Sequence, residues 1–390
     1  MLPTGTPLSA WLTWLESLSP HEIDLGLERV HEVLDRLELP VAEHVITVAG
    51  TNGKGSSVAM ISALLSAAGK RVGAYTSPHI IDYNERIVVQ GRQADDDEIV
   101  AAFEKIENVR HDVPLTYFEY GTLAAFVIFA EADLDVWVLE VGMGGRLDAS
   151  NALEPTAALI TNVALDHCDW LGEDIETIAA EKAGVMRSGI PVVFGSAEVP
   201  QAIIDHAESL GSRLLLRGRD YSLNSVPQPG LRGEFQVGNA AAVLAVLRAA
   251  GLEEAADETL AASVLPEVHL MGRGQSIEQD GVEWLLDVAH NPAAAVVLAG
   301  TLGSEQHPGE TAAIIGMLDD KDIGGVVEPL NKHVDRWVAV TAESHRAVPA
   351  AELARQIANV CGRPCLIATT LDEAMQSARR DASINDRILV

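Results

Sequence analysis

Short runs rich in valine and isoleucine alternate along this chain with segments whose apolar residues recur at helical spacing. The strand-like runs in the first half cover residues 44–49, 71–76, 135–142, 156–163 and 190–195. Helical patterns stand between them, at residues 56–69, 121–132 and 174–187. Because parallel strands are joined by crossovers that are usually helices, the alternation predicts an α/β fold with helices on both faces of a parallel sheet.

A second series of the same kind follows residue 281, with strand-like runs at 282–289, 311–317, 336–341, 365–369 and 387–390. The chain has 390 residues, which is too many for one ordinary hydrophobic core. We therefore predict a first domain at residues 1–272 and a smaller second domain at 277–390. Residues 217–235 contain proline and glycine with little periodicity and are expected to form a loop.

Composition excludes several classes of function. The net charge of −30 argues against binding to nucleic acid, which requires a basic surface. No apolar run reaches the roughly 18 residues of a membrane-spanning helix, and the first residues do not resemble a secretory signal. Of the three cysteines, Cys361 and Cys365 have a spacing that is poor for zinc. An odd cysteine number in a long chain favours reduced thiols and a cytoplasmic protein.

The turn at residues 50–57 is the first candidate site. A strand precedes it and a helix follows it, so backbone N–H groups and the helix dipole would favour a bound phosphate. Lys54 would reach the β- and γ-phosphates, and Ser56 or Ser57 could contact Mg²⁺. The strict P-loop pattern is not met, because Gly55 separates Lys54 from Ser56. The alternative is a tight strand-to-helix turn with an exposed lysine.

Glu140 is a second candidate because it ends an apolar strand. A carboxylate in that position is costly unless it meets a cation. The carboxyl ends of parallel strands share one edge of the sheet, where α/β folds bind ligands, so Glu140 is a candidate Mg²⁺ ligand beside the turn. The alternative is an acid that only caps the next turn.

Two further strand ends carry polar residues. Asp166, His167 and Asp169 follow one strand, and Ser77 and His79 follow another. A histidine just past a parallel strand and beside an acid is a candidate metal ligand. Polar groups at several neighbouring strand ends are a stronger signal together than any one alone. Lys182, by contrast, follows Glu181 in a helical segment, where the spacing indicates only a surface ion pair.

An aromatic cluster at residues 117–120 is open to two interpretations. Aromatic residues make up only 4% of the chain, so Tyr117, Phe118 and Tyr120 together suggest a site that stacks on a ring. The residues alone favour the other interpretation, in which they are core aromatics at the start of a helix that begins at Thr122.

The chain resembles a known family when its motifs are read in order. GTNGKGS, TSPH, YFEYGT, LEVGMGGRLDASN, ALDHCDWLG, EKAGVMR, MGRGQ, DVAHNP and IGMLDDKD occur over most of its length. Together they are similar to the folylpolyglutamate synthase/dihydrofolate synthase family of the Mur ligase superfamily, and most to its bifunctional bacterial members. The resemblance implies a P-loop-containing Mur-ligase-like domain with a parallel sheet, followed by a smaller Rossmann-like α/β domain.

The resemblance also implies roles for individual residues. Positions that match nucleotide contacts are Thr51, Asn52, Gly53, Lys54, Gly55, Ser56, Asn239, Arg273 and Asp287. Positions that match metal ligands are Ser77, Glu140, His167 and Lys182, the last being a lysine that the family carbamylates. Positions that match the pterin site are Asp24, Leu25, Gly26, Leu27, Tyr117, Phe118, Glu119, Tyr120, Leu147, Asp148 and Ala149. Lys54 and Lys182 would serve catalysis, and His290 is a candidate proton acceptor.

Three departures from the family pattern stand out. Residues 271–274 read M-G-R-G where the family usually has P-G-R-F, so Arg273 is kept while its surroundings differ. The sequence also ends at Val390 within an apolar strand, and the segment 217–235 is short. For the last two differences, either these parts are lost or the sequence omits residues, and we expect omission.

The implied reaction joins L-glutamate to the carboxylate of dihydropteroate and of reduced folates, through an acyl phosphate made from ATP. Two Mg²⁺ ions are expected, with K⁺ as a further candidate. The partners would be small molecules only, and the protein would be a monomer. The alternatives are a folylpolyglutamate synthase alone, a Mur-type amino-acid ligase of cell-wall synthesis, and a non-catalytic nucleotide switch.

Overall fold

The computed structural model describes residue 3 and residues 5–18, 24–305 and 307–390. These residues form two compact units. The first unit consists of the described residues within Met1–Val163, Leu171–Pro229 and Val237–Val268. The second unit consists of those within Ala164–Trp170, Gly230–Gln236 and His269–Val390. Two short segments from the middle of the chain therefore belong to the second unit.

The first unit is built on a mostly parallel sheet. Its strands are β1 (His44–Ala49), β2 (Val72–Tyr75), β3 (Ile87–Val89), β4 (Arg92–Gln93), β5 (Val136–Glu140), β6 (Ala157–Ile160), β7 (Pro191–Phe194) and β8 (Arg213–Leu216). Their order across the sheet is β4-β3-β2-β5-β1-β6-β7-β8. The pairs β2–β3 and β3–β4 are antiparallel, and the other neighbours are parallel.

Helices accompany these strands as the alternating pattern predicts. They are α1 (Leu8–Leu18), α2 (Glu28–Leu37), α3 (Lys54–Ala67), α4 (Asp96–Arg110), α5 (Tyr117–Glu131), α6 (Cys168–Leu171), α7 (Ile175–Ala183), α8 (Gln201–Leu210), α9 (Phe235–Ala249) and α10 (Glu258–Val264). Packing is dense around β5, every residue of which is buried. The Trp137 ring, for example, stacks on Phe126 of α5 with the ring centres 6.0 Å apart.

The sheet register aligns the ends of four strands. Val48 of β1 is opposite Glu140 of β5, and Ala49 is opposite Ile160 of β6. Strand β2 ends beside β5, with Tyr75 opposite Leu139. Strands β5 and β6 flank β1 on opposite sides, so the order in which strands are added to the sheet changes side at β1. Open α/β sheets bind ligands at such a topological switch point.

The second unit contains another sheet of mostly parallel strands. These are β9 (Gln275–Gln279), β10 (Val282–Leu286), β11 (Thr311–Ile315), β12 (Arg336–Ala339), β13 (Cys365–Ile367) and β14 (Arg387–Leu389), in the order β13-β12-β11-β14-β10-β9. Only the pairing of β9 with β10 is antiparallel among these. The accompanying helices are α11 (Pro292–Ser304), α12 (Ile323–Leu330), α13 (Ala350–Cys361) and α14 (Leu371–Arg380). The predicted α/β class is confirmed.

An ion network attaches the segment Gly230–Gln236 to the second unit. The Arg232 guanidinium donates to Glu305 at 2.5 Å and to Glu283 at 2.7 Å. Arg387 of β14 donates to the same two carboxylates, at 2.7 Å to Glu283 and 3.1 Å to Glu305. Two arginines and two carboxylates thus neutralise one another, which is the arrangement that partly buried charges require.

Helix α5 begins earlier than the sequence suggested. The expected start at Thr122 is wrong, because the helix starts at Tyr117. A capping box explains the difference: Thr116 accepts from the backbone N–H of Glu119, and Glu119 accepts from the backbone N–H of Thr116. Cys168, Cys361 and Cys365 are free thiols, and Cys168 is exposed, so it is not packed as expected. Within the described ranges, no helix has the length and apolar character needed to cross a membrane.

Candidate active site

The turn that follows β1 is held by the end of β6. The backbone N–H of Thr51 donates to the Asn162 carbonyl at 3.0 Å, and that of Asn52 donates to the Asn162 side-chain oxygen at 3.1 Å. The Asn162 amide and the Thr161 hydroxyl both donate to the Asn52 carbonyl, at 2.8 and 2.7 Å. Four hydrogen bonds from two residues therefore fix the shape of the turn before any ligand binds.

Two glycines allow this close approach. Gly50 has a φ of +143°, and a Cβ there would lie 1.9 Å from the Thr161 hydroxyl oxygen. Gly53 has a φ of +82°, and a Cβ there would lie 3.1 Å from the Asn239 side-chain nitrogen. Only glycine fits these positions without displacing its neighbours. The structure thereby brings Asn239 of α9 against the turn, as expected if both contact one nucleotide.

Lys54 lies over the turn and is not an exposed side chain. Its Nζ donates to the carbonyls of Gly50 and Thr51 at 3.1 and 3.2 Å. Ser56 and Ser57 are buried in the first turns of α3. A cation at the start of a 14-residue helix, above a turn rich in backbone N–H groups, forms a site for a polyanion. Lys54 is therefore not the exposed lysine of the alternative interpretation, and phosphate binding at the turn stays a prediction.

Glu140 and Ser77 lie side by side beyond the turn. Glu140 is only 4% exposed, and its Oε2 accepts a hydrogen bond from the Ser77 backbone N–H at 3.1 Å. A carboxylate and a hydroxyl are the hard oxygen donors that Mg²⁺ prefers. The described residues form no cluster of three His, Cys, Asp or Glu side chains. The pair nevertheless fits Mg²⁺, which commonly takes one or two carboxylates and completes its shell with phosphate oxygens and water.

The environment of Lys182 differs from the one that the sequence predicted. It lies in the last turn of α7 and is 3% exposed, so the predicted surface ion pair is wrong. Its neighbour Glu181 instead accepts from Arg146 at 2.8 Å. Helical spacing could not distinguish a buried lysine from an exposed one here. Burial of a lysine is costly, which makes the position unusual and compatible with a modified side chain.

The residues expected to bind a pterin fall into two groups that the structure connects. Arg29 of α2 forms an ion pair with Asp24 at 2.8 Å and donates to Glu119 at 2.9 Å. It therefore joins the segment of Asp24, Leu25, Gly26 and Leu27 to the start of α5. Glu119 is buried and fully engaged by Arg29 and the helix cap, so its part in the site is to hold these segments together.

Phe118 approaches the third expected segment. A Cβ at Gly142 would lie 2.6 Å from the Phe118 ring and 3.2 Å from Asp148 Oδ2. Asp148, the middle residue of the segment Leu147 to Ala149, is buried. Its carboxylate accepts a hydrogen bond from the Ser150 hydroxyl at 2.6 Å and one from the backbone N–H of Met143 at 2.8 Å. Burial raises the pKa of Asp148, although these hydrogen bonds lower it. A ring and a polar group are thus placed together.

Tyr120 belongs to the core. It is fully buried, and its hydroxyl bonds to Glu107 and accepts from Arg110 at 2.8 Å. Burial raises its pKa strongly. Of the aromatic cluster, Tyr120 follows the core interpretation, whereas Tyr117 and Phe118 are only partly buried.

In the second unit, one carboxylate collects several candidate residues. Asp166 accepts from Lys321 Nζ at 2.7 Å and from the Asn291 amide at 2.9 Å. His290 Nε2 lies 3.3 Å from Asp166, and the His167 backbone N–H donates to it at 2.9 Å. Burial raises the pKa of Asp166, but hydrogen bonds from His290 and Lys321 outweigh burial and hold the pKa far below its usual value. His167 and His290 thus both contact the Asp166 carboxylate.

Asp287 and Arg273 are also placed together. The Asp287 carboxylate accepts from the backbone N–H groups of Gly274 and Ala289, at 2.8 and 2.9 Å. Burial raises its pKa, while these bonds and the charge of nearby Arg273 lower it. Asp287 therefore orders the loop that carries Arg273.

Comparison with known proteins identifies the family. Residues 48–220 match the Mur ligase middle domain, and residues 272–390 match the Mur ligase glutamate ligase domain. The dihydrofolate synthase/folylpolyglutamate synthase of Escherichia coli is 42% identical over an alignment that covers 99% of this chain and 93% of that protein. The chain belongs to the dihydrofolate synthase/folylpolyglutamate synthase family. It is therefore a ligase of the Mur type.

Solved structures of the family have the same fold. E. coli FolC in complex with DHPP and ADP superposes with a TM-score of 0.94 at 40% identity, covering 100% of this chain and 95% of that one. A bifunctional folylpolyglutamate synthase/dihydrofolate synthase with Mn, AMPPNP and L-glutamate bound has a TM-score of 0.91 at 40% identity, covering 99% and 95%. Family members thus bind an adenine nucleotide and a divalent metal ion.

The candidate residues of this family member are divided between the two units. The first unit contains the turn, Asn239, Ser77, Glu140, Lys182 and the pterin positions, and the second contains His167, Arg273, Asp287 and His290. Sequence reasoning missed Thr161, Asn162 and Arg29, and gave Lys321 no role. The polar pair that ends β6, at residues 161–162, was the available signal for the first two. Arg29 and Lys321 had none, because their partners are 90 and 155 residues away.

Proposed function

We propose that this protein is an ATP-dependent ligase that joins L-glutamate to the carboxylate of dihydropteroate and to that of reduced folates. The observation that supports this most is the preformed turn at residues 50–57, with Lys54 above it and Glu140 and Ser77 beside it. The family relationship supports the choice of substrates. Residues 1–272 would carry the ATP and pterin sites, and residues 277–390 the glutamate ligase domain.

The chemistry explains why such a turn is needed. A carboxylate is a poor electrophile because its leaving group would be oxide. In an acyl phosphate the leaving group is phosphate, which departs far more readily. The turn amides of Gly53, Gly55 and Ser56 would bind the phosphates, while those of Thr51 and Asn52 hold the turn on Asn162. Lys54 would turn from the Gly50 and Thr51 carbonyls to the β- and γ-phosphates. Neutralising phosphate charge lets the substrate carboxylate approach the γ-phosphorus.

We propose that Ser77, Glu140, His167 and carbamylated Lys182 are the ligands of two Mg²⁺ ions, with K⁺ as a further ion. When bound, such ions neutralise phosphate charge and orient the γ-phosphoryl group. The Ser77 backbone N–H fixes the orientation of the Glu140 carboxylate. Carbamylation would convert a buried cation into an anion, which suits the burial of Lys182.

The remaining residues would bind the nucleotide, accept a proton or receive the pterin. Asn239, Arg273 and Asp287 contact the nucleotide. His290 accepts the proton that the amine of glutamate loses as it attacks, since only the neutral amine is a nucleophile. Phe118, Asp148 and the neighbouring positions receive the pterin ring. The protein works as a monomer in the cytoplasm.

A product assay tests the proposal. Purified protein is incubated with ATP, Mg²⁺ and L-glutamate, and with either dihydropteroate or a reduced folate, and products are identified by mass. We expect one glutamyl residue to be added to each substrate, with ADP formed in equal amount. Product from the reduced folate alone would make the protein a folylpolyglutamate synthase only. ATP hydrolysis without glutamate and a pterin would contradict the ligase assignment.

A further inference from the structure

Arg86 is a buried cation whose surroundings are aromatic. It is 8% exposed, and its Nε donates to His79 Nδ1 at 2.8 Å. Its guanidinium lies over the rings of Tyr83 and Tyr117, 5.3 and 5.7 Å from their centres. Among the residues that the structure describes, no carboxylate lies within ion-pair distance of it.

Two other arginines, the partly buried Arg110 and the buried Arg387, show what is missing. Arg110 also lies over two aromatic rings, but it forms an ion pair with Glu107 at 2.5 Å. Arg387 is paired with Glu283 at 2.7 Å and with Glu305 at 3.1 Å. A buried charge is costly unless an opposite charge and hydrogen bonds compensate it. The rings, the imidazole and a hydrogen bond to the Tyr75 hydroxyl give Arg86 only part of that compensation, because none of these groups is an anion.

The position of Arg86 relates it to the active site of the first unit. The backbone carbonyl of Arg86 accepts a hydrogen bond from the backbone N–H of Thr76 at 2.9 Å. Ser77, which follows Thr76, donates its backbone N–H to the Glu140 carboxylate. On its other side is Tyr117, the first residue of α5, followed by Phe118 of the proposed pterin site. Arg86 thus contacts the segment before Ser77 through its backbone and the start of α5 through its side chain.

A second polar group in the same cluster is unsatisfied. The Tyr83 hydroxyl is buried and makes no hydrogen bond within the described part of the chain. It packs against α5 at Gly121, where a Cβ would lie 2.5 Å from the hydroxyl oxygen. An unsatisfied buried donor and an uncompensated guanidinium together indicate an acceptor that a ligand supplies. An arginine whose charge is flanked by aromatic rings suits a carboxylate attached to an aromatic ring.

We propose that Arg86 binds the carboxylate of the pteroate substrate, and that His79 is a positioning residue that orients the guanidinium. This inference rests on the proposed function and adds to it the residue that recognises the acid. A chain with a net charge of −30 repels anionic substrates at long range, so it needs a local cation at the position where the substrate carboxylate binds.

The test compares two ligands that differ only in charge. The affinities of dihydropteroate and of its primary carboxamide are measured by calorimetry with ADP present and without added metal. The unmodified protein should bind the acid about 10- to 100-fold more tightly than the amide, as expected for charge-assisted hydrogen bonds. Equal affinities in the unmodified protein would overturn the inference without any variant.

Variants assign the preference to Arg86. Arg86→Met should bind acid and amide within about threefold of each other, and Arg86→Lys should retain an intermediate preference because it keeps the charge but loses the planar fork. Arg110→Met is the matched control, since it removes a partly buried, ring-packed arginine of the same unit and should keep the preference of the unmodified protein. A general loss of stability would weaken both ligands equally and leave the ratio unchanged.

Kinetics separate this inference from the proposed function. In Arg86→Met the KM for dihydropteroate should rise at least tenfold while the KM values for ATP and glutamate change little. If the unmodified protein forms no glutamylated product, the proposed function fails and takes the inference with it. If product forms but Arg86→Met keeps the acid preference, or if only the KM for glutamate rises, the inference alone is overturned.

Discussion

Gly50→Ala should disable the phosphate turn through a clash that the structure defines. The new Cβ would lie 1.9 Å from the Thr161 hydroxyl oxygen, and 3.1 Å from the Thr161 backbone nitrogen and Cβ. Ordinary contacts of this type begin near 3.4 Å, so the turn or the end of β6 must shift by about 1.5 Å. The shift would also break the 2.7 Å hydrogen bond from Thr161 to the Asn52 carbonyl.

The expected magnitude follows from that shift. A misplacement of about 1 Å in a site for group transfer costs on the order of 10²-fold in rate. Loss of one hydrogen bond and the strain of alanine at a φ of +143° should together reduce stability by about 2–4 kcal/mol. We therefore expect kcat to fall at least about 100-fold and ATP to bind more weakly. Steady-state kinetics, nucleotide titration and chemical denaturation measure these three quantities.

Two further variants isolate the cause. Gly69→Ala is the control for backbone strain, because Gly69 also has a positive φ, +80°, but no atom lies within 4 Å of the position that a Cβ would take there. It should cost about 1 kcal/mol of stability and leave kcat unchanged. Adding Thr161→Ala to Gly50→Ala removes the closest atom and should restore part of the lost rate. Wild-type kcat and ATP affinity in Gly50→Ala would refute the reasoning.

Four other variants test separate parts of the account. Lys54→Ala and Glu140→Gln should each abolish turnover but leave the circular dichroism spectrum unchanged, and near-normal rates in either would contradict the site. Burial raises the pKa of Glu283, but hydrogen bonds led by Arg232 lower it to about 2, so its stabilisation is present above the ordinary pKa near 4.5 and is lost as pH falls toward 2. Glu283→Gln should therefore lose about 1–2 kcal/mol at pH 7, allowing for partial exposure, and nothing near pH 2, as denaturation at both pH values would show. Asp166→Asn should destabilise the second unit by about 2–3 kcal/mol and speed its hydrogen exchange, because it removes the carboxylate that pairs with the partly buried Lys321; unchanged exchange would argue against that role.

Local patterns predicted the fold well because the relevant physics is local. The alternation of β-branched runs with helical spacing indicated the strand and helix types, and their parallel pairing implied that the ends of β1, β2, β5 and β6 share an edge. The start of α5 at Tyr117 was missed although T-x-x-E at residues 116–119 is a capping-box pattern. That error came from following the apolar run instead of the cap.

Contacts between distant residues could not be predicted in this way. Arg86 meets Tyr117, and Asp166 meets Lys321, only after the chain has folded, and neither pair leaves a periodic or spacing signal. The burial of Lys182 was missed for a related reason, since helical spacing reports which residues share a face but not what covers that face. Single-sequence reasoning therefore located the strand-end residues and missed those that hold them.

The central claim is that the triphosphate of ATP binds at the turn after β1, beside Glu140 and Ser77. A crystal structure of this protein with AMPPNP and Mg²⁺ tests it most directly. The account predicts β- and γ-phosphate oxygens within hydrogen-bonding distance of the amides of residues 53–56, with Lys54 Nζ moved from the Gly50 carbonyl to a phosphate and a metal ion on Glu140. A nucleotide bound elsewhere, with Lys54 still on the Gly50 and Thr51 carbonyls, would contradict it.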